Sequence, residues 1–355
     1  MRVLIVDDSA FMRRAIRQML ADDPTIEVVG TARNGREGVE MALSLKPDVI
    51  TLDIEMPEMD GLTALKQIMR QAPTQVLMLS SLTTEGSHVA LQALKLGAAD
   101  VLAKDMSQFS LSITDIQEDL LRRVRALGGV KKVRRFAAPP PHAEHAPPTF
   151  RPGQFDVVCI GSSTGGPPVL EKILEALPAT FNTPIVVAQH MPAVFTQSMA
   201  ERLNEACPLR VVHVDQRMAL EPRTIYIARG SHNIHIRKLG LARWELITNK
   251  EPADTIYWPS VDALFPSAAQ HTGSRTLAIV LTGIGEDGLQ GGTELFKHHG
   301  VILAQDQETC VVYGMPKAVT EKALVAASLP PDQIAKSLLT LAPASSSTTV
   351  AAKAG

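Results

Sequence analysis

The stretch Val157-Val158-Cys159-Ile160-Gly161-Ser162-Ser163-Thr164-Gly165-Gly166-Pro167-Pro168 passes from a short, wholly apolar run through a glycine-rich turn into a segment that opens with proline. A run this short and apolar, bounded by turn residues, reads as a strand buried on both faces of a parallel sheet. The glycines permit a tight turn, and proline suits a first helical turn, where its missing N–H costs nothing. Two later runs have the same form. Ile185-Val186-Val187-Ala188 ends at His190 and is stopped by Met191-Pro192, while Leu277-Ala278-Ile279-Val280-Leu281 leads into Thr282-Gly283-Ile284-Gly285-Glu286-Asp287-Gly288. Ligands gather at the carboxyl ends of such strands, so Ser163, His190 and Asp287 are expected to meet there as nucleophile, base and orienter.

Each residue also has a plainer reading. The turn around Ser163 offers exposed N–H groups at a helix N-terminus and would cradle a phosphate equally well. Its GxSxG lettering is weak evidence alone, and the chain order Ser, His, Asp excludes a standard α/β-hydrolase. A triad is not excluded, because triads are recognised by geometry and role rather than by sequence order. Segment 167–183 has room for one crossover helix, which makes the strands before Ser163 and His190 sheet neighbours. Between Glu286 and Asp287 the spacing alone does not choose.

Working outward, 355 residues suggest two domains with a large core and no need of staples. A net charge of -2 with mixed signs favours neither nucleic acid nor an anionic membrane. Cys159, Cys207 and Cys310 show neither a disulfide framework nor zinc-site spacing, which fits a reducing compartment. Val3 to Val6 is cut off by Asp7-Asp8, too short for a signal peptide, and no run approaches a membrane span. A cytoplasmic protein without membrane insertion is expected.

Residues 2 to about 127 alternate apolar strands with helical patterns in five β/α units, giving a doubly wound parallel sheet. Asp7 and Asp8 end the first strand and Asp53 the third, so three carboxylates converge on one sheet edge. Any one of them alone reads as a turn or N-cap residue. Together they repel unless a hard divalent cation such as Mg²⁺ bridges them and an incoming phosphate. Ser80 and Lys104, after the fourth and fifth strands, bring a hydroxyl and an ammonium to the same edge.

These residues carry a resemblance. LIVDDSAFMRR, DIEMPEMDG, LSS at 79–81 and AKD at 103–105 resemble the flavodoxin-like receiver domain of bacterial two-component response regulators. The resemblance implies Asp53 as phosphoacceptor and Mg²⁺ held by Asp8, Asp53, the Glu55 carbonyl and, through water, Asp7. Ser80 and Lys104 would sense the phosphoryl group. Asp105 and Val101 depart from the usual proline and aromatic.

GSSTGG, PIVVAQHMPAVFTQSMAERL, WPSVDALF, LTGIGEDG and QDQETCVVYGMPKAV resemble the catalytic domain of chemotaxis protein-glutamate methylesterases. This implies Ser163 as nucleophile, His190 as base and Asp287 as orienter, with no cofactor for the ester reaction. Backbone N–H groups near Thr164 and Ile284 are the candidates for an oxyanion hole. Departures are Ser162 for alanine, Ile284 for methionine, Cys310 for serine, and Tyr257-Trp258 for His-Arg.

The reading is therefore α/β, with two doubly wound parallel-sheet domains: a receiver at 1–127, a proline-rich basic linker at 128–153, a methylesterase domain at 154–342 and a disordered tail at 343–355. The implied substrates are γ-glutamyl methyl esters on chemoreceptor helices, with deamidation of certain glutamines as a second activity. The implied phosphodonor is a chemotaxis histidine kinase, and a monomer is expected. Two rivals stand beside it: the same chemistry on a non-chemotaxis substrate, and a receiver-controlled DNA-binding regulator. The second lacks a helix-turn-helix segment, and the basic cluster at 131–135 reads as a solvated hinge.

Overall fold

The computed structural model describes residues 1–104, 113–129, 146–240, 243–253 and 255–343. The basic cluster at 131–135, the prolines at 139–141, Asp105 and the tail from 344 onward lie outside the described residues.

The N-terminal half runs β1 (Arg2–Val6), α1 (Ala10–Ala21), β2 (Glu27–Ala32), α2 (Gly35–Leu45), β3 (Val49–Asp53), α3 (Gly61–Gln71) and β4 (Gln75–Ser80). It closes with α4 (Thr84–Lys95), β5 (Asp100–Ala103) and α5 (Ile113–Gly128). All strands pair in parallel, in the order β2-β1-β3-β4-β5. Local chemistry sets the helix starts. The side chains of Ser9, Asn34, Asp60 and Thr83 each accept an N–H from the first turn of the helix they precede. The order reverses between β1 and β3, which brings Asp7 and Asp53 to one crevice.

The C-terminal half begins with β6 (Val157–Ser162), α6 (Gly166–Glu175), β7 (Ile185–Gln189), α7 (Ala193–Ala206), β8 (Arg210–Val214), β9 (Met218–Ala219) and β10 (Thr224–Ala228). There follow β11 (Asn233–Gly240), β12 (Arg243–Asn249), α8 (Val261–His271), β13 (Thr276–Val280) and α9 (Leu289–Lys297). It ends with β14 (Val301–Gln305), α10 (Met315–Glu321), β15 (Ala327–Leu329) and α11 (Pro331–Leu339). Seven parallel strands form one sheet, in the order β15-β14-β13-β6-β7-β10-β8. Its alternate residues feed two cores. Val158, Ile160, Ile185 and Val187 pack with Leu170, Leu203 and Ile334 of α6, α7 and α11. Val157, Cys159, Val186 and Ala188 pack with Leu264, Phe265 and Leu295 of α8 and α9.

One element departs from the sequence reading. β11, β12 and β9 form a small antiparallel sheet, absent from the expected all-parallel plan. Its signal is the alternation in Asn233-Ile234-His235-Ile236-Arg237, which sends Ile234 and Ile236 into the second core. The buried Glu245 carboxylate accepts from Arg217 and Arg237 across that sheet.

The two halves pack through α4, the start of β5 and α5. Ser87 of α4 and Ser198 of α7 share a buried hydroxyl pair at 2.6 Å. Lys95 reaches Glu171 at 2.8 Å, and Arg202 grips the same carboxylate with two bonds of 2.8 and 2.9 Å. Leu120, Leu121 and Val124 of α5 fall in one apolar cluster with Ile284 and Val312.

Candidate active site and acidic pocket

β6 pairs with β7 on one side and β13 on the other, so three neighbouring strands deliver Ser163, His190 and the loop carrying Asp287 to one sheet edge. All three residues are buried, at 6%, 8% and 6% exposure. Gly165, at φ +77°, makes the turn after Ser163. α6 then starts with prolines in its first turn. Ser162 donates to Gln189 at 2.6 Å, and the Gln189 amide donates to the carbonyls of Ser163 and His190 at 3.0 and 3.3 Å. Gln189 thus ties the two strand ends together, a role the sequence reading missed.

Asp287 receives His190 Nε2 at 2.7 Å, whereas Glu286 is exposed. The other bonds to Asp287 come from the N-terminus of α8: Ser260 Oγ at 2.9 Å, Val261 N–H at 2.7 Å and Asp262 N–H at 2.8 Å. Burial alone would push its carboxyl up, but these donors and His190 hold it below the ordinary carboxylate range. Asp262 returns the arrangement by accepting the N–H groups of Gly288 and Gly291 at 2.9 and 2.7 Å, at the start of α9. Two helix N-termini therefore exchange carboxylates. Asp262, quoted in a motif but given no role from sequence, is the partner that fixes the loop of Asp287.

Burial, with the nearby Asp287 charge adding to it, pushes the Asp262 carboxyl up to about 7. The folded protein then holds a proton that the unfolded chain releases near the ordinary value of 3.8, so stability falls as pH rises between these two values. The Asp262→Asn variant should lose less stability than the parent between pH 5 and 8, by on the order of 2 kcal/mol once solvent screening is allowed for. Urea midpoints at the two pH values test this, and equal pH dependence in both proteins would contradict it.

His190 Nδ1 is buried and without a hydrogen-bond partner among the described residues. With Nε2 on Asp287, Nδ1 is the nitrogen free to take a proton. The Ser163 N–H goes to Thr282 O at 3.0 Å and the Gly283 N–H to Val312 O at 3.1 Å. Thr164 and Ile284 are the next N–H groups along their turns. Thr164 Oγ1 donates to Asp100 of the other half, and Thr282 Oγ1 donates to the Thr164 carbonyl at 2.9 Å. Burial pushes the Cys207 thiol up to about 12 and the Cys159 thiol upward as well, which leaves both poor nucleophiles.

In the acidic pocket, one carboxylate oxygen from each of Asp7, Asp8 and Asp53 lies within 4.8 Å of the others. Lys104 Nζ is 2.8 Å from Asp7 and 2.6 Å from Asp53. Burial outweighs the lysine and raises the Asp53 carboxyl to about 6. An all-oxygen donor set with this charge suits a hard divalent cation. Glu55 follows β3 on the turn. Ser80 does not join the cluster, because its hydroxyl donates to Gly86 O of α4 at 3.0 Å. Val101 is buried in β5.

The fold and the two sites together define a receiver domain joined to an α/β serine-hydrolase domain. The family comparisons agree: the response regulator receiver domain matches residues 3–113, and the CheB methylesterase family matches residues 158–338. The chain is 43% identical to protein-glutamate methylesterase/protein-glutamine glutaminase 1 of Oleidesulfovibrio alaskensis, over 95% of this chain and 98% of that protein. It is also 43% identical to protein-glutamate methylesterase/protein-glutamine glutaminase 2 of Carboxydothermus hydrogenoformans, over 96% and 98%. The crystal structure of the Thermotoga maritima CheB methylesterase catalytic domain superposes with a TM-score of 0.51 at 37% identity, covering 53% of this chain and 98% of that one. The chain belongs to the CheB methylesterase family.

Proposed function

We propose that this enzyme hydrolyses γ-glutamyl methyl esters on the cytoplasmic helices of chemoreceptors, with deamidation of certain glutamines as a second activity. The observation that carries the reading is the convergence of Ser163, His190 and Asp287 at neighbouring strand ends, with His190 held 2.7 Å from Asp287. Ser163 attacks the ester carbonyl while His190 Nδ1 takes its proton. Asp287 fixes the ring through Nε2 and stabilises the imidazolium. The N–H groups of Thr164 and Ile284 hold the oxyanion. Methanol leaves with the proton from His190, and water then hydrolyses the glutamyl-enzyme by the reverse relay, giving glutamate. Methanol release from methylated receptor membranes tests the reading. Hydrolysis of small esters with none from receptors would favour a non-chemotaxis substrate.

The domain limits that support this reading are 1–127 for the receiver, 128–153 for the linker and 154–342 for the hydrolase. The protein works in the cytoplasm in this scheme, and no described helix is long and apolar enough to cross a membrane. Asp7, Asp8, Asp53 and the Glu55 carbonyl would hold Mg²⁺, which when bound offsets the charge of the carboxylates and of an incoming phosphoryl group. Asp53 takes the phosphoryl group from a chemotaxis histidine kinase, and Lys104 and Ser80 grip its oxygens. Incubation with acetyl phosphate should label the parent but not Asp53→Asn, and chelation should stop labelling. Label persisting in the variant would move the site elsewhere.

Control follows from the packing. The unphosphorylated receiver covers the cleft through α5 and through Asp100 on Thr164. Ser80 is bonded to Gly86 O, adjacent to Ser87, and Ser87 pairs with Ser198 across the interface. A phosphoryl group that draws Ser80 toward Asp53 removes a bond from the first turn of α4, the helix that holds the domains together. The closed and open populations then shift.

A further inference from the structure

We propose that Tyr257 is a positioning residue for His190, and that through its ring the docked receiver acts on the base. The inference rests on His190 being the base. The Tyr257 ring stacks on the imidazole at 4.5 Å between centroids, with the planes 4° apart. Its hydroxyl is packed on the Asp287 loop so closely that a Cβ at Gly285 would fall 2.4 Å from it. The ring is therefore pinned between the base and the loop that carries the orienter. Over the same ring, 5.0 Å from its centroid, lies the guanidinium of Arg122 from receiver helix α5.

A positive charge over an aromatic face is stabilised by the ring quadrupole, most strongly away from water. When Ser163 gives up its proton, His190 becomes an imidazolium against the Tyr257 ring, so the stack favours the transition state over the resting neutral base. Arg122 draws on the same π-system in the docked state and repels the nascent imidazolium. Undocking α5 removes that competitor and leaves the ring to His190 alone. The other charges facing this group are Asp287 on Nε2, Asp262 behind it, and Asp119 and Arg123 beside Arg122 on α5. Asp119 bridges both arginines, so removing Arg122 leaves the Asp119 pairing with Arg123 in place.

The test is the pH profile of ester hydrolysis by the full chain, with and without acetyl phosphate and Mg²⁺. Tyr257→Phe keeps the ring and should stay within about twofold of the parent. Tyr257→Leu keeps apolar bulk and should lower kcat about three- to tenfold with little change in KM. It should also lower the apparent pKa of the acid-side limb, on which a general base loses its proton, by about half a unit. Arg122→Gln should raise that pKa in the unphosphorylated chain and leave the phosphorylated profile unchanged. Phe and Leu variants equally impaired, or an unshifted limb in both Tyr257→Leu and Arg122→Gln, would overturn the proposal. Ser163→Ala run in parallel separates the two failures: turnover surviving in that variant sinks the triad itself, whereas a dead Ser163→Ala with unshifted profiles sinks only the role of Tyr257. Should Tyr257→Leu fail to fold, the Arg122→Gln profile alone decides.

Discussion

Ser163→Ala should reduce methanol release by about four to six orders of magnitude while leaving the thermal midpoint within a degree or two, because the hydroxyl supplies the chemistry and carries little of the packing. His190→Ala should be as severe. Asp287→Asn should cost about 10⁴-fold, because an amide favours the wrong imidazole tautomer. It should also lower stability, since Asp287 accepts three further bonds from the start of α8. That difference between Ser163 and Asp287 is the informative part. Near-parental turnover by Ser163→Ala would remove the nucleophile from the scheme, and an Asp287→Asn protein as stable as the parent would remove the cap.

Deleting residues 1–150 should raise basal hydrolysis at least tenfold, since a receiver that keeps nine molecules in ten closed hides that much activity. Acetyl phosphate should raise the rate of the full chain and leave the truncated one unchanged. Lys95→Glu, which sets a carboxylate against Glu171, should give part of the same increase without phosphodonor. A truncated enzyme no faster than the intact unphosphorylated chain would show that occlusion is wrong, and that the receiver acts by delivering the enzyme to its receptors.

Much of this arrangement was legible in the sequence because it depends on local rules. Apolar runs broken by glycine and proline mark buried parallel strands, and carboxyl-end placement puts Ser163, His190 and Asp53 on the right edges. The small antiparallel sheet was legible too, in the alternation around Ile234 and Ile236, but a search for wholly apolar runs passes over strands that face solvent on one side. What sequence could not give are pairings between segments distant in the chain. Gln189 reads as an ordinary strand residue until its amide is seen to span two strand ends. Asp262 reads as a first-turn carboxylate of its own helix, although its bonds go to the start of another. Asp100 and Arg122 look like surface charges of a receiver, and only the docked geometry brings them against Thr164 and Tyr257.

The bond from Thr164 to Asp100 makes one hydroxyl common property of the catalytic turn and the receiver. In the proposed scheme, a substrate carbonyl seated against the Thr164 N–H and a receiver docked on the Thr164 hydroxyl meet at one residue and oppose one another. Thermodynamic reciprocity follows: if phosphorylation of Asp53 favours occupancy of the cleft, occupancy favours phosphorylation to the same degree. A methylated receptor segment would thus be more than a target. It would act as an effector that raises the phosphoryl affinity of the enzyme bound to it, concentrating the active form at receptors that still carry methyl groups.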